Sequence, residues 1–266
     1  MRKRVQPHMS ILYEFLQRNE IEKVKSLPLV HTTRAHHLRS ILNGQKIVAT
    51  PCDVFKGENL NYFFVGRPAY KFPLGDQAEL WELPVCFILD YKTSFKPKRM
   101  FPFDSGGFSR NLMPSHMTRH NLDDFEVSAD PEAPEKIIGT FFGSAHNYFK
   151  FSPKRGLDAL AKHDVSLLDS EIHSLHKLSV SRSEGFDDRH FSIEVQSSND
   201  LKLQSNILLA AVVPAPYLDD PDFLNVASSM WDCDLLGYDI YPLRPDVYYH
   251  GVYTLVESVL RDKGFF

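Results

Sequence analysis

The stretch ELPVCFILDY, residues 82–91, constrains the fold more than any other. Its apolar residues run almost unbroken from Leu83 to Leu89, whereas a strand with one wet face alternates polar and apolar positions. The segment reads as a strand buried on both faces, inside a sheet that other elements cover. Several further segments carry a helical period, so helices accompany that sheet.

In Ser10–Lys25 the residues Ile11, Leu12, Phe15, Leu16 and Ile21 recur at helical spacing behind a serine suited to capping, and Pro28 stops the helix. LPLVHTT (27–33) reads as a buried strand emerging into polar residues. Leu38, Ile41 and Leu42 place a helix between Arg34 and Asn43, with Gly44 as its C-terminal cap. LNYFFVG (60–66) is a strand, and RPAYKF (67–72) opens a helix with Pro68 in its first turn. Residues 91–152 hold Pro97, Pro102, Pro114, Pro131, Pro134 and the glycines of DSGGF, without a sustained period. They read as loops with short elements, an insertion that covers a site within a single domain spanning 1–266. Downstream, 155–178 looks helical in two pieces and SRSEGFDDRH (181–190) is a polar loop. FSIEVQS (191–197) and ILLAAVVP (207–214) are strands, and YTLVESVLRD (253–262) is a helix.

Composition narrows the function classes. With 43% hydrophobic and 24% charged residues, a chain of 266 is long enough for a substantial core. Twenty Phe and eleven Tyr exceed what a small core needs, so some rings are candidates for a ligand cleft, although a Phe-rich core is the plainer reading. Cys52, Cys86 and Cys233 are odd in number and widely spaced, which fits neither a disulfide framework nor a metal-ligand pair and points to a reducing compartment. The basic start MRKRVQPHMSILYEF lacks the apolar run of a secretory signal, and no stretch of roughly 20 apolar residues suits a membrane span, so the expected location is the cytoplasm. A net charge of −4 argues against coating nucleic acid through bulk charge. It leaves room for a local basic groove at Lys92, Lys96, Lys98 and Arg99, a run whose plain reading is a solvated loop.

Three separated segments carry candidate chemistry. His31 ends an apolar run, where a side chain reaches from a strand end into a cleft, and Thr32 and Thr33 add hydroxyls beside it. In NYFFVGRPAYK, Gly66 lets the backbone approach a ligand and Arg67 offers a fork of donors to a phosphate, while Tyr62 or Tyr70 suits stacking on a flat ring. In the third segment Glu194 alternates with Ile193 and Val195, so it faces away from them together with Ser192 and Gln196, either to solvent or into a cleft where a desolvated carboxylate does electrostatic work. Glu171 and Glu184 are the other candidate carboxylates. Glu171, His173 and His176 form a Glu-x-His-x-x-His pattern that differs from the spacing of a zinc helix and lacks a third ligand, so no metal is expected.

In this order the three segments resemble the ADP-ribosyltransferase fold, with a His-and-hydroxyl strand, an aromatic strand and a later strand carrying Glu. LVHTTRAHHLRSILNGQ matches the first motif, and Tyr62, Phe63, Arg67, Pro68 and Tyr70 repeat the layout of the second motif of the DarT family of DNA ADP-ribosyltransferases. The resemblance covers 31–71 and 189–214. It implies an α+β fold with a mixed split sheet and helices on its flanks, NAD+ as co-substrate, Arg67 and Glu194 as the catalytic pair, and His31 and Thr33 at the nicotinamide end. Tyr62 would then pack on the nicotinamide ring. It further implies transfer of ADP-ribose to a macromolecular acceptor such as DNA or RNA, in a toxin or anti-phage effector for which an antitoxin is a candidate partner. Ser192 stands where protein-modifying relatives carry Gln or Glu, so the likeness does not point to arginine as acceptor. An NAD+ hydrolase on the same fold and a binding protein without chemistry are the alternatives.

Overall fold

The structure is a computed structural model that describes residues 9–69, 78–90, 96–154, 159–181, 188–204, 206–241 and 247–266. The elements begin with α1 (Ile11–Arg18), β1 (Leu29–Arg34), α2 (Leu38–Gly44), β2 (Lys46–Ile47), β3 (Thr50–Pro51), β4 (Asn59–Val65) and β5 (Pro84–Leu89). They continue with β6 (Arg99–Phe101), α3 (Ser105–Ser109), α4 (Ala133–Phe141), α5 (Ala145–Phe149) and α6 (Ser170–Val180). The last are β7 (Glu194–Ser197), β8 (Leu201–Lys202), β9 (Leu208–Pro214), α7 (Pro221–Met230), β10 (Asp234–Tyr238) and α8 (Tyr248–Asp262). The class is mixed α+β. Among the described residues no helix is long and apolar enough to cross a membrane.

The chain forms two compact units, one of Met1–Lys25 with Arg99–Ile193 and one of Ser26–Lys98 with Glu194–Phe266. These boundaries differ from the 91–152 insertion read from the proline distribution, because proline marks loops and not the limits of a packed body.

The second unit is built on the sheet order β10-β9-β5-β1-β4-β7, with β3 also pairing β4. Every neighbouring pair is antiparallel except β9 and β10, which the crossover through α7 makes parallel. β5 lies between β1 and β9, and all six of its residues are buried, as the unbroken apolar run requires. Phe87 at its centre meets the edge of Trp231 at 5.4 Å. The Tyr238 hydroxyl donates to the Pro84 carbonyl at 2.8 Å, which satisfies a phenol that would otherwise be buried unpaired. β2 and β8 form a separate antiparallel pair, held to β4 by the Asn61 amide, which donates to the carbonyls of Ile47 and Asn199.

The first unit shows where the phenylalanines go. α1 is capped by the Ser10 hydroxyl, which accepts from the Tyr13 amide at 2.9 Å, and it buries Leu12, Phe15 and Leu16. It ends at Arg18, earlier than the periodicity suggests. Phe103 stacks on Phe108 at 5.4 Å and meets the edge of Phe125 at 5.1 Å, while Phe141, Phe142 and Phe191 form a second cluster. Segments without a sequence period are thereby held by aromatic edges. α4 packs so closely on the backbone at Glu22 that a methyl group on Gly139 would sit 2.1 Å from the Glu22 carbonyl oxygen.

Other local expectations shift by a few residues. Residues 35–37 form one turn of 3-10 helix ahead of α2, and the left-handed cap is Gln45 (φ 48°), not Gly44. Arg67, Pro68 and Ala69 are non-helical; the remainder of the helix expected at 67–72 lies outside the described residues. So does 155–158, within the first expected piece of 155–178, while the second piece is α6.

Candidate functional site

The second unit carries His31, Thr32, Thr33, Tyr62, Gly66, Arg67 and Glu194, whereas Ser192 and Ile193 of the third segment belong to the first unit. β1 pairs with β5 along all six residues, from Leu29↔Leu89 to Arg34↔Pro84. Its ladder with β4 holds only Leu29↔Val65 and Val30↔Phe64. From His31 onward the two strands part. At the parting the His31 Nδ1–H donates to the Tyr62 carbonyl at 2.9 Å, so a side chain takes a backbone acceptor on the opposing strand.

This geometry fixes the state of the imidazole. A carbonyl only accepts, so Nδ1 carries the proton and Nε2 is left as an acceptor when the ring is neutral. Desolvation pushes the ring down to about 4, opposed by its bond to Tyr62 and aided by the nearby His37. The residue as a whole is half-buried, but its ring tilts against Phe63 with centroids 5.4 Å apart. The neutral form therefore prevails near pH 7.

Glu194 opens β7 and is 1% exposed, which removes the solvent-facing alternative for its side chain. The Gln196 amide donates from Nε2 to Glu194 Oε1 at 2.7 Å. Register places Glu194 opposite Phe64 and Gln196 opposite Tyr62, so these four residues share one face of the sheet. Phe63, which carries the His31 ring, pairs with Val195 and belongs to the other face. Tyr62 and Glu194 are thus brought to one face, and His31 sits at the parting on the side of Phe63.

The remaining candidates divide similarly. Thr32 turns to the face opposite His31, where its hydroxyl meets Cys86 Sγ at 3.3 Å; burial pushes that thiol up to about 12. Thr33 returns to the His31 side by strand alternation and is half-buried. Gly66 has φ 65°, and its N–H continues the β1–β4 contact by donating to the Pro28 carbonyl at 2.7 Å. A left-handed backbone there favours glycine, and a methyl group would in addition lie 2.7 Å from Leu27 Cδ1. Arg67 is fully buried and not solvent-facing. Tyr70 lies outside the described residues.

Lys98 pairs with Glu58 at 2.8 Å and its backbone N–H donates to the Gln196 carbonyl, so its charge is already matched. Lys92 lies outside the described residues, as does Glu184. Glu171 belongs to the first unit and engages His120 Nδ1 at 3.2 Å, while Ser174 meets His120 Nε2 at 2.9 Å. That chain of bonds ties the loop around His120 to α6. His173 points elsewhere, to the Ser166 carbonyl. Among the described residues no group of three or more His, Cys, Asp or Glu is placed to hold a metal ion.

Two contacts escaped the sequence reading. The Tyr62 hydroxyl meets the Cys52 thiol, which the Val54 and Phe55 amides also approach. The amide of Gln196 reaches Glu194; the i, i+2 spacing signals a shared face, but only register on β4 shows both side chains enclosed. Compared with known proteins, the chain matches no family model, no curated protein and no solved structure.

Proposed function

We propose that the chain uses NAD+ as the donor in ADP-ribosyl transfer to a macromolecular acceptor, with nucleic acid the acceptor class. One observation carries the reading: the aromatic strand β4 lies between the strand of Glu194, a buried carboxylate, and the strand of His31, which parts from β4 at that residue. A sheet that opens beside an enclosed carboxylate provides both a place for a flat ligand and a charge for its chemistry.

Breaking the bond between nicotinamide and ribose develops positive charge on the ribose, as in glycoside hydrolysis. Glu194 stabilises that charge and takes the proton of the attacking hydroxyl or amine. The neutral His31 offers Nε2 to a ribose hydroxyl, a role that an imidazolium, which has donors alone, does not perform. Thr33 supplies a hydroxyl on the same side. Tyr62 packs on the nicotinamide ring, and Arg67 orients the pyrophosphate. Since His31 and Glu194 belong to opposite faces, the donor reaches both only by entering the parting between β1 and β4.

Mass spectrometry of NAD+ incubated with the pure protein, with and without DNA or RNA, tests the reading. Nicotinamide release with an ADP-ribose mass added to nucleic acid is the expected result. Free ADP-ribose in both arms would make the protein a hydrolase, and intact NAD+ in both would make it a binding protein.

A further inference from the structure

We propose that Gln196 is the positioning residue of the candidate site, holding the Glu194 carboxylate through the bond from its Nε2 to Glu194 Oε1 at 2.7 Å. The proposal rests on the role given to Glu194 above and specifies how a carboxylate in that position keeps its charge and its orientation.

Three observations meet on this pair. Both residues are enclosed, Glu194 at 1% and Gln196 at 0% exposure, so water does not supply the missing solvation. Their spacing along β7 puts both side chains on one face. The backbone of Gln196 is fixed on two sides, by its pairing with Tyr62 and by its carbonyl, which accepts from the Lys98 N–H at 2.8 Å. The amide is therefore delivered by a strand that is itself held.

The chemistry follows from the atoms. An amide nitrogen only donates, so the contact favours an oxygen that accepts, and withdrawing such a donor from a buried carboxylate shifts the balance toward its protonated form. A protonated Glu194 has no charge to set against a cationic ribose. Tyr62 is the titratable residue that β4 places on this face beside the pair, and its hydroxyl meets the Cys52 thiol. Gln196 thus acts through Glu194 and needs no contact with the donor.

The test is a carbon-13 NMR titration of side-chain carboxyls in the full-length chain, with the Glu194 signal assigned by its loss in Glu194→Gln. Gln196→Met keeps the volume and removes the donor; Gln196→Glu keeps the shape and sets a second carboxyl against the first. The expected result is a Glu194 midpoint raised by about one unit or more in Gln196→Met, and two coupled steps in Gln196→Glu with the upper one raised further. The same Glu194 midpoint in the parent and in a folded Gln196→Met, or uncoupled behaviour in Gln196→Glu if the Met variant does not fold, overturns the proposal. A second readout separates it from the proposed reaction. Where the parent turns over NAD+, Gln196→Met lowers kcat, leaves KM for NAD+ near the parent value, and recovers as pH rises. A shifted midpoint in a protein whose parent form leaves NAD+ intact keeps the positioning role and discards the reaction.

Discussion

The two flanks of β1 differ although the same six residues form both. Toward β5 the strand is paired at every position, and the facing residues Val85, Cys86 and Phe87 are fully buried. Toward β4 it is paired at Leu29 and Val30 alone, and beyond them a histidine ring bridges to the opposing backbone. A complete ladder satisfies its own donors and acceptors, whereas beyond the end of an incomplete one other groups take over that task, as the His31 ring does here. The β5 flank accordingly carries stability, and the β4 flank is where the proposed function places the ligand.

Four substitutions break or sharpen that contrast. The largest effect belongs to the closed flank. Phe87→Ala removes a fully buried ring that pairs with His31 and meets Trp231, and it should cost about 3–5 kcal/mol in urea unfolding. A cost below about 1 kcal/mol would show that β5 is not the centre of the sheet's core.

The open flank should instead reveal itself through pH. His31 titrates at about 4 when folded, below the roughly 6.5 of an unfolded histidine, so between these values the unfolded chain binds more protons and stability rises with pH. The contribution is complete above about pH 6.5 and is lost as pH falls toward 4, on the order of 2–3 kcal/mol. Unfolding midpoints at both ends of this window, compared with His31→Asn, which keeps a donor and does not titrate, should show the smaller pH dependence in the variant. Equal slopes would place the ring in water.

Gly66→Ala tests the junction between the flanks. The positive φ and the approach of Leu27 should cost about 1–2 kcal/mol in thermal unfolding, and a neutral result would mean that the end of β4 relaxes freely. The smallest effect is expected for Thr32→Val, which keeps the shape and removes the hydroxyl facing Cys86. About 0.5–1 kcal/mol is expected by the same measurement, with NAD+ affinity little changed, because the hydroxyl is already engaged with the Cys86 thiol. Weakened NAD+ binding would put Thr32 in the site after all.

How much of this was legible in the sequence follows from what each pattern encodes. The unbroken run at 83–89 announces an interior strand because both faces must be apolar, and β5 is one. The Ser10 cap and the apolar strands β4 and β9 were equally readable. α7 and β10 went unread, although Asp220 before Pro221 is a helix-start signal, with the Asp carboxylate accepting from the Asp222 and Phe223 amides. Of the site, the strand carrying Glu194 was legible from alternation, but its burial was not, since a polar face looks the same beside water and beside a cleft. The parting of β1 from β4 depends on long-range register, which no local window contains. Gly66 illustrates the converse: the sequence offers a ligand as the reason for the glycine, and the fold adds a left-handed backbone beside Leu27, which no local pattern announces.

Glu194→Gln addresses the central claim most directly, because it preserves shape at an enclosed site and removes only the charge. A group that acts on the cationic transition state matters little to ground-state binding and much to turnover. NAD+ affinity by calorimetry and NAD+ consumption by mass spectrometry, measured on the same folded variant, should show near-parent binding with turnover reduced on the order of 100-fold or more. A folded Glu194→Gln protein that consumes NAD+ at the parent rate would contradict the account and move the carboxylate role away from β7.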